Sequence, residues 1–318
     1  MNGYSGDARL RWPEALPWLA ALAAFFAFPD LLSLGARVEI FILFALSLDL
    51  ILGYGGIITL GHSAFFGVGA YAAGLASVRL GVNEPFSQLA VAAVAAALAG
   101  AVTGAVVLRT RGLTLLMLTL AITSLLFELA NRAGDLTGGA DGLTGITVAP
   151  VGGLFKFDLF GKTAYFYCLL VLFACWVLIR RVVYAPFGAM LTGIRENRAR
   201  MAAIGAPVTL RLVMAYTLSA ALAGVAGGLN TQVNQFVGLN VFGFELSGDV
   251  LIMLILGGAG RIYGAFVGPV VYLLAQDQLS KAAPELWYLG IGVLLVVVVL
   301  FARGGILGIA DRVIAWRR

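Results

Sequence analysis

The sequence predicts an all-α integral membrane protein: a polytopic helical bundle of roughly ten spans with interrupted helices and both termini in the cytoplasm. Three observations lead there. Of 318 residues, 61% are hydrophobic and only 12% charged, and mean hydropathy is +0.98. A soluble domain carries about twice that charge. Apolar runs of about twenty residues recur along the chain, which is helix length and argues against a barrel. The basic residues, finally, segregate in alternate connections.

The expected spans are 16–34, 38–60, 62–80, 86–108, 112–131, 164–183, 210–232, 246–260, 262–280 and 286–303. Arg9 and Arg11 before the first run imitate a signal peptide, but no small-residue cleavage site follows, so a retained span is expected. With the N-terminus inside, the outer Lys/Arg are Arg37, Arg79, Arg132, Lys156, Lys162 and Lys281, and the other 15 of 21 fall inside. The sequence is expected to form a single transmembrane domain over residues 1–318. Its net charge of +5 reports orientation, and no basic domain supports nucleic-acid binding. Cys168 and Cys175 share one apolar run, cannot reach each other along one helix, and predict neither disulfide nor redox role.

Residues 132–163 form the one long outer segment, with Asp135, Asp141 and Asp158 around TGGADGLTG. It suits either an extracytoplasmic partner or a passive cap. Two stretches read as interrupted helices at membrane depth: 52–71 (LGYGGIITLGHSAFFGVGAY) and 256–272 (LGGAGRIYGAFVGPVVY). Backbone freed there survives only beside protein or a water-lined cavity, and transporters place substrate sites near such breaks. Gly53, Gly55, Gly56, Gly61, His62, Ser63, Phe65, Phe66, Gly257 and Gly258 are therefore the candidate substrate passage. His62, the sole histidine, either hydrogen-bonds a freed carbonyl or touches a solute. The two phenylalanines either line a passage or pack.

Residues 184–211 make the longest basic, polar block between two apolar runs, and its letters have helical order. Phe187, Met190, Leu191, Ile194, Met201 and Ile204 recur at three- and four-residue steps. Arg195, Glu196, Asn197, Arg198 and Arg200 take the other face, with Glu196 and Arg200 spaced as an i,i+4 pair. Pro186 suits a first turn, while Gly205 and Pro207 supply a stop. Such a helix lies on the bilayer, enters a groove on a soluble partner, or is an ordinary cytoplasmic loop held inside by its arginines.

Catalytic and nucleotide signatures fail. Gly161-Lys162-Thr163 lacks the earlier glycine of a phosphate loop, because Lys156 stands there. Gly67, Gly69 and Ala72 mimic a dinucleotide fingerprint with no strand before them. No metal spacing and no nucleophile–base pair occurs, so neither a metal nor another cofactor is expected on this chain. Asp49 and Asp249 lie deep in apolar segments and should face protein, paired with hydroxyls or an arginine, whereas Glu128 and Asp277 read as interfacial. Gly100/Gly104, Gly224/Gly228 and Gly264/Gly268 read as helix contacts. A proton-coupled secondary transporter using Asp49 or Asp249 is the alternative function.

The two broken stretches, TGGADGLTG, and APFGAMLTGIRENRARMAAIGAP with its LSAALAGVAGGL continuation occur in a set order along the chain. Together they closely resemble the permease subunits of branched-chain amino-acid ABC importers, specifically the M-type (LivM-like) subunit, over about residues 38–303. The resemblance implies a multi-pass subunit of the bacterial inner membrane, surrounded by lipid, that moves branched-chain or related small amino acids. Its implied partners are an H-type permease in a heterodimer, two ATP-binding cassette ATPase subunits and an extracytoplasmic amino-acid-binding protein. It also implies that residues 184–210 hold a short coupling helix seated on an ATPase. Phe187, Ile194, Arg195, Glu196, Asn197, Arg198 and Met201 are the candidate contacts. Broader ABC permeases carry Glu-Ala-Ala and a spaced glycine in this loop. Here the nearest letters are Met201-Ala202-Ala203 and Gly205, with closer spacing and no glutamate.

Overall fold

The computed structural model describes residues 12–153, 155, 161–282, 284–286, 289–293, 296 and 304–308. The helices are α1 (Leu16–Ala27), α2 (Leu32–Asp49), α3 (Ser63–Leu80), α4 (Pro85–Val107), α5 (Leu113–Arg132) and the single turn α6 (Gly134–Thr137). They continue with α7 (Lys162–Tyr184), α8 (Pro186–Glu196), α9 (Arg198–Ala203), α10 (Val208–Asn234), α11 (Phe244–Gly257) and α12 (Gly264–Ala282). Six helical stretches among the described residues are long and apolar enough to cross a membrane: Pro29–Tyr54, Ser63–Leu80, Pro85–Val107, Leu113–Arg132, Lys162–Tyr184 and Val208–Asn234.

The boundaries depart from the sequence expectation in two places. The first apolar helix stops at Ala27, because Phe28 precedes Pro29 and a residue before proline is pushed out of the helical region. The second begins at Leu32 and ends at Tyr54, about two turns earlier than expected, where Gly55 and Gly56 follow. Most of the expected last span, together with Arg9, Arg11, Lys156, Asp158, Arg303, Arg312, Arg317 and Arg318, lies outside the described residues.

α3, α4 and α10 pack on one another, and small residues let their backbones touch. A β-carbon at Gly224 would collide with Ala96, one at Gly69 with the Gly224 carbonyl, and one at Gly227 with the Phe66 carbonyl. The small-xxx-small pairs are thus helix contacts, with Gly100 against Ala220 and Gly104 against Tyr216. Cys168 and Cys175 are both unbonded along α7.

The two ends of the bundle are built differently. At one end the 81–84 connection, the segment after α5 and the end of α10 are stitched together. Leu143 N–H donates to Val237 O at 2.7 Å, Ser77 Oγ donates to Thr147 O at 2.9 Å, and Thr147 Oγ1 donates to Asn83 Oδ1 at 2.7 Å. Buried Gln232 and Gln88 extend this network: Gln232 Nε2 donates to Pro85 O at 2.7 Å and Gln88 Nε2 to Val82 O at 2.9 Å. The described part of 132–163 therefore packs as a cap. The opposite end holds the end of α2, the end of α7, α8 and residues 258–263. There Glu14 meets Arg180 at 2.8 Å, while Trp18 packs edge-on against Trp176 at 5.3 Å.

α11 and α12 also meet backbone to backbone, since a β-carbon at Gly268 would strike the Met253 carbonyl, whereas one at Gly248 would meet open space. Gly268→Ala should therefore lower the thermal midpoint of detergent-purified protein, by about 1–3 kcal/mol of overpacking. Gly248→Ala on the same pair should raise it by about 0.5–1 kcal/mol through helix entropy. Equal effects at both positions would show that the close approach does not hold the pair together.

Candidate functional site

Both glycine-rich stretches are breaks. α2 closes with a widened π turn, Leu50–Tyr54, and Gly56 then takes φ +68°, a left-handed conformation that glycine tolerates. Ile57 N–H reaches back to Ile51 O at 3.0 Å instead of to Gly53 O, which frees the Gly53 carbonyl. Hydroxyls answer the next donors: Gly61 N–H reaches Thr59 Oγ1 at 3.1 Å and Leu60 N–H reaches Thr119 Oγ1 at 3.4 Å.

α3 restarts at Ser63 in a fully buried setting. Ser63 N–H donates to Ser247 Oγ at 2.9 Å, and the Ser247 hydroxyl donates to Ser63 Oγ at 2.7 Å. Ser247 belongs to the first turn of α11. The chain between α10 and α11 runs back along α3, with Phe242 stacked on Tyr71 at 5.5 Å. α3 rises about 27 Å over its residues, so α11 begins far from the capped end, and two helix N-termini meet inside the bundle.

His62 differs from expectation. Its partner is a hydroxyl, not a freed carbonyl: Nε2 lies 2.9 Å from Ser47 Oγ, whose own hydrogen goes to Phe44 O at 2.6 Å. Nε2 therefore carries the proton and donates, and Nδ1 has no hydrogen-bond partner among the described residues. The ring is stacked 5.5 Å from Phe44, with Phe65 at 5.9 Å. Gly53, Gly55, Gly61, His62, Ser63, Phe65, Phe66, Gly257 and Gly258 are all buried in this conformation, and Gly56 is exposed.

The second break spans residues 258–263, with Gly258 at φ +113° and Gly260 at φ +79°. It sits directly on the first. Asp49 Oδ1 accepts from Gly260 N–H at 2.6 Å, and a β-carbon at Gly53 would collide with the Gly260 backbone. Asp49 thus faces protein, as its depth suggests, but its partner is a backbone amide with Arg195 as the neighbouring charge. Asp249 accepts from the Tyr272 hydroxyl at 2.6 Å. Glu128 and Asp277 are held in exposed i,i+4 pairs with Arg132 and Lys281, each at 2.6 Å.

The polar block is two helices, not one. α8 ends at Glu196, Asn197 is extended (φ −156°), and its side chain accepts from Arg200 N–H at 2.9 Å to start α9. That turn removes the Glu196–Arg200 i,i+4 register and swings Ile204 out of the apolar face, to 71% exposure. Leu191 and Ile194 are fully buried, and Phe187 and Met201 pack against the core. Glu196, Asn197 and Arg200 are exposed. Burial and the nearby Arg111 guanidinium both pull the Arg198 pKa down. Arg195 is exposed as well, yet its Nη1 donates to the freed Gly53 carbonyl and its stem lies against the exposed Gly56.

One buried carboxylate escaped the sequence reading. Glu39 is 4% exposed, and neither oxygen has a hydrogen-bond partner among the described residues. It borders an apolar cavity of about 1180 Å³ between α1, α2, α7 and α12. An expected span starting at residue 38 put Glu39 at its edge. The early start of α2 places it two turns inside.

This architecture defines a multi-pass helical membrane protein whose membrane helices are broken and pinned to one amphipathic connection. The chain belongs to the family described as branched-chain amino acid transport system / permease component, whose model matches residues 31–299. It is a transport subunit of an ABC system and not itself an ATPase. It is 28% identical over 316 residues to the high-affinity branched-chain amino acid transport system permease protein LivM of Salmonella typhimurium strain LT2. It is also 28% identical over 317 residues to the protein of that name from Escherichia coli strain K12. Each alignment covers 91% of this chain and 74% of the relative. No solved structure matches.

An unpartnered buried carboxylate weakens a fold, and neutral replacements of similar shape are tolerated. Glu39→Gln should therefore leave the thermal midpoint in detergent unchanged or raise it. A fall of several degrees would mean that the carboxylate holds a partner that stabilises the native state.

Proposed function

We propose that this chain is the M-type half of a paired permease in an ATP-driven importer of the bacterial inner membrane. It is read as ten spans with both termini cytoplasmic. An H-type permease, two ATP-binding cassette ATPases and an extracytoplasmic amino-acid-binding protein complete the assembly. Leucine, isoleucine and valine, or related small amino acids, pass between the two permeases along the breaks at 53–66 and 257–268. The chain carries no cofactor or metal and leaves ATP hydrolysis to its partners. Residues 132–163 face the binding protein's side.

The observation that carries this reading is the position of α8 and α9. They lie at the end of the bundle opposite the stitched cap, with Leu191 and Ile194 buried beneath them and Glu196, Asn197 and Arg200 outward. A partner pulling on that surface acts on the broken segments, because α8 touches one of them. Capture of solute by a separate chain removes the need for a tight site here. The family supports this route over proton coupling through Asp49 or Asp249, and both carboxylates already accept hydrogen bonds inside the chain.

Arg198→Glu with Arg200→Glu should cut co-purification of the ATPase subunits in mild detergent by about tenfold, as reversed charges at an interface cost several kcal/mol. The chain itself should still reach the membrane. Undiminished co-purification would remove α8–α9 as the ATPase contact. In vesicles, uptake should stop without nucleotide and survive collapse of the proton gradient. The Asp49→Asn, Asp249→Asn double variant should still transport. The reverse pattern would establish the secondary transporter.

A further inference from the structure

We propose that Arg195 and Asp49 are positioning residues that tie the coupling connection to both helix breaks, so that the two breaks move as one body when α8 moves. The inference rests on the coupling role proposed for α8 and gives the exposed Arg195 a bond within this chain, through which it acts.

Three elements meet at one point. The π turn of α2 ends with a freed Gly53 carbonyl, the acceptor that a continuing helix would have used. Arg195, in the last turn of α8, fills it through Nη1. One turn earlier on α2, the buried Asp49 takes the Gly260 amide of the second break at 2.6 Å. Gly53 and Gly260 lie in backbone contact, so no side chain separates the breaks, and the Arg195 stem rests on Gly56. The two links join residues 142 and 211 positions apart in sequence. Each link satisfies a backbone group that has no helical partner, and such a group is costly to leave unpaired. A displaced α8 therefore drags the Gly53 carbonyl with it, and Asp49 carries Gly260 along. A guanidinium is well suited to such a link, being permanently charged and rich in donors.

The complete transporter, reconstituted in liposomes, tests the link by measuring ATP hydrolysed and radiolabelled L-leucine moved in the same sample. Arg195→Met keeps the stem over Gly56 and removes the donors, and Asp49→Ala removes the acceptor. Both should keep the ATPase subunits on the purified complex and hydrolyse ATP within about twofold of the unchanged chain. Leucine moved per ATP should fall about tenfold, within the range by which residues between sites modulate coupling. Arg195→Lys and Asp49→Asn, which retain a donor and an acceptor oxygen, should each recover at least half of that ratio. Should Asp49→Ala fail to accumulate, the Arg195→Met and Arg195→Lys pair still decides the matter. A coupling ratio within twofold of normal in Arg195→Met overturns the proposal. So does loss of the ATPases from Arg195→Met, which would make Arg195 a direct contact. If the unchanged chain brings down no ATPase at all, the coupling reading beneath the proposal fails instead.

Discussion

Backbone groups released inside an apolar surround must find partners within the protein, and this constraint organises the molecule. Glycines break α2 before α3 and α11 before α12. Each break releases amides and carbonyls from the helical hydrogen-bond ladder. The partners come from elsewhere in the chain: hydroxyls of Thr59, Thr119 and Ser247, the Asp49 carboxylate, and the Arg195 guanidinium. None of these is chemistry in the catalytic sense. They are the means by which interrupted helices persist in lipid, and they explain why polar residues sit deep in a chain so apolar.

Much of the fold was legible in the letters. Hydropathy anticipates the long helices, and small-residue spacing marks glycines at which helices touch without saying which helices pair, because lipid rewards close packing over side-chain bulk. The glycine runs mark both breaks. Helix ends were less legible: Pro29 and the π turn moved α2 by about two turns, and that shift hid Glu39. Hydropathy cannot see either device, since neither alters average apolarity.

The candidate site was legible in composition and not in pairing. Asp49 stood out as a deep carboxylate, but a backbone amide has no letter, so Gly260 gave no signal. Arg195 read as partner-facing because a helical wheel run through Asn197 places it beside Arg198. Arg195 is indeed exposed, but its bond to the Gly53 carbonyl gave no signal, because a wheel shows the face of a helix and not the backbone it lies against. His62 was drawn to a carbonyl by its place at the break. The nearer hydroxyl of Ser47, fifteen residues away, takes it instead.

The stitched cap carries a consequence for how such a body deforms. Side-chain amides, hydroxyls and a backbone bridge tie the helix ends there, whereas at the far end Asp49 and Arg195 tie the two helix breaks together. A force applied at α8 would reach both breaks before it reached the cap, since Arg195 and Asp49 are the bonds nearest to it.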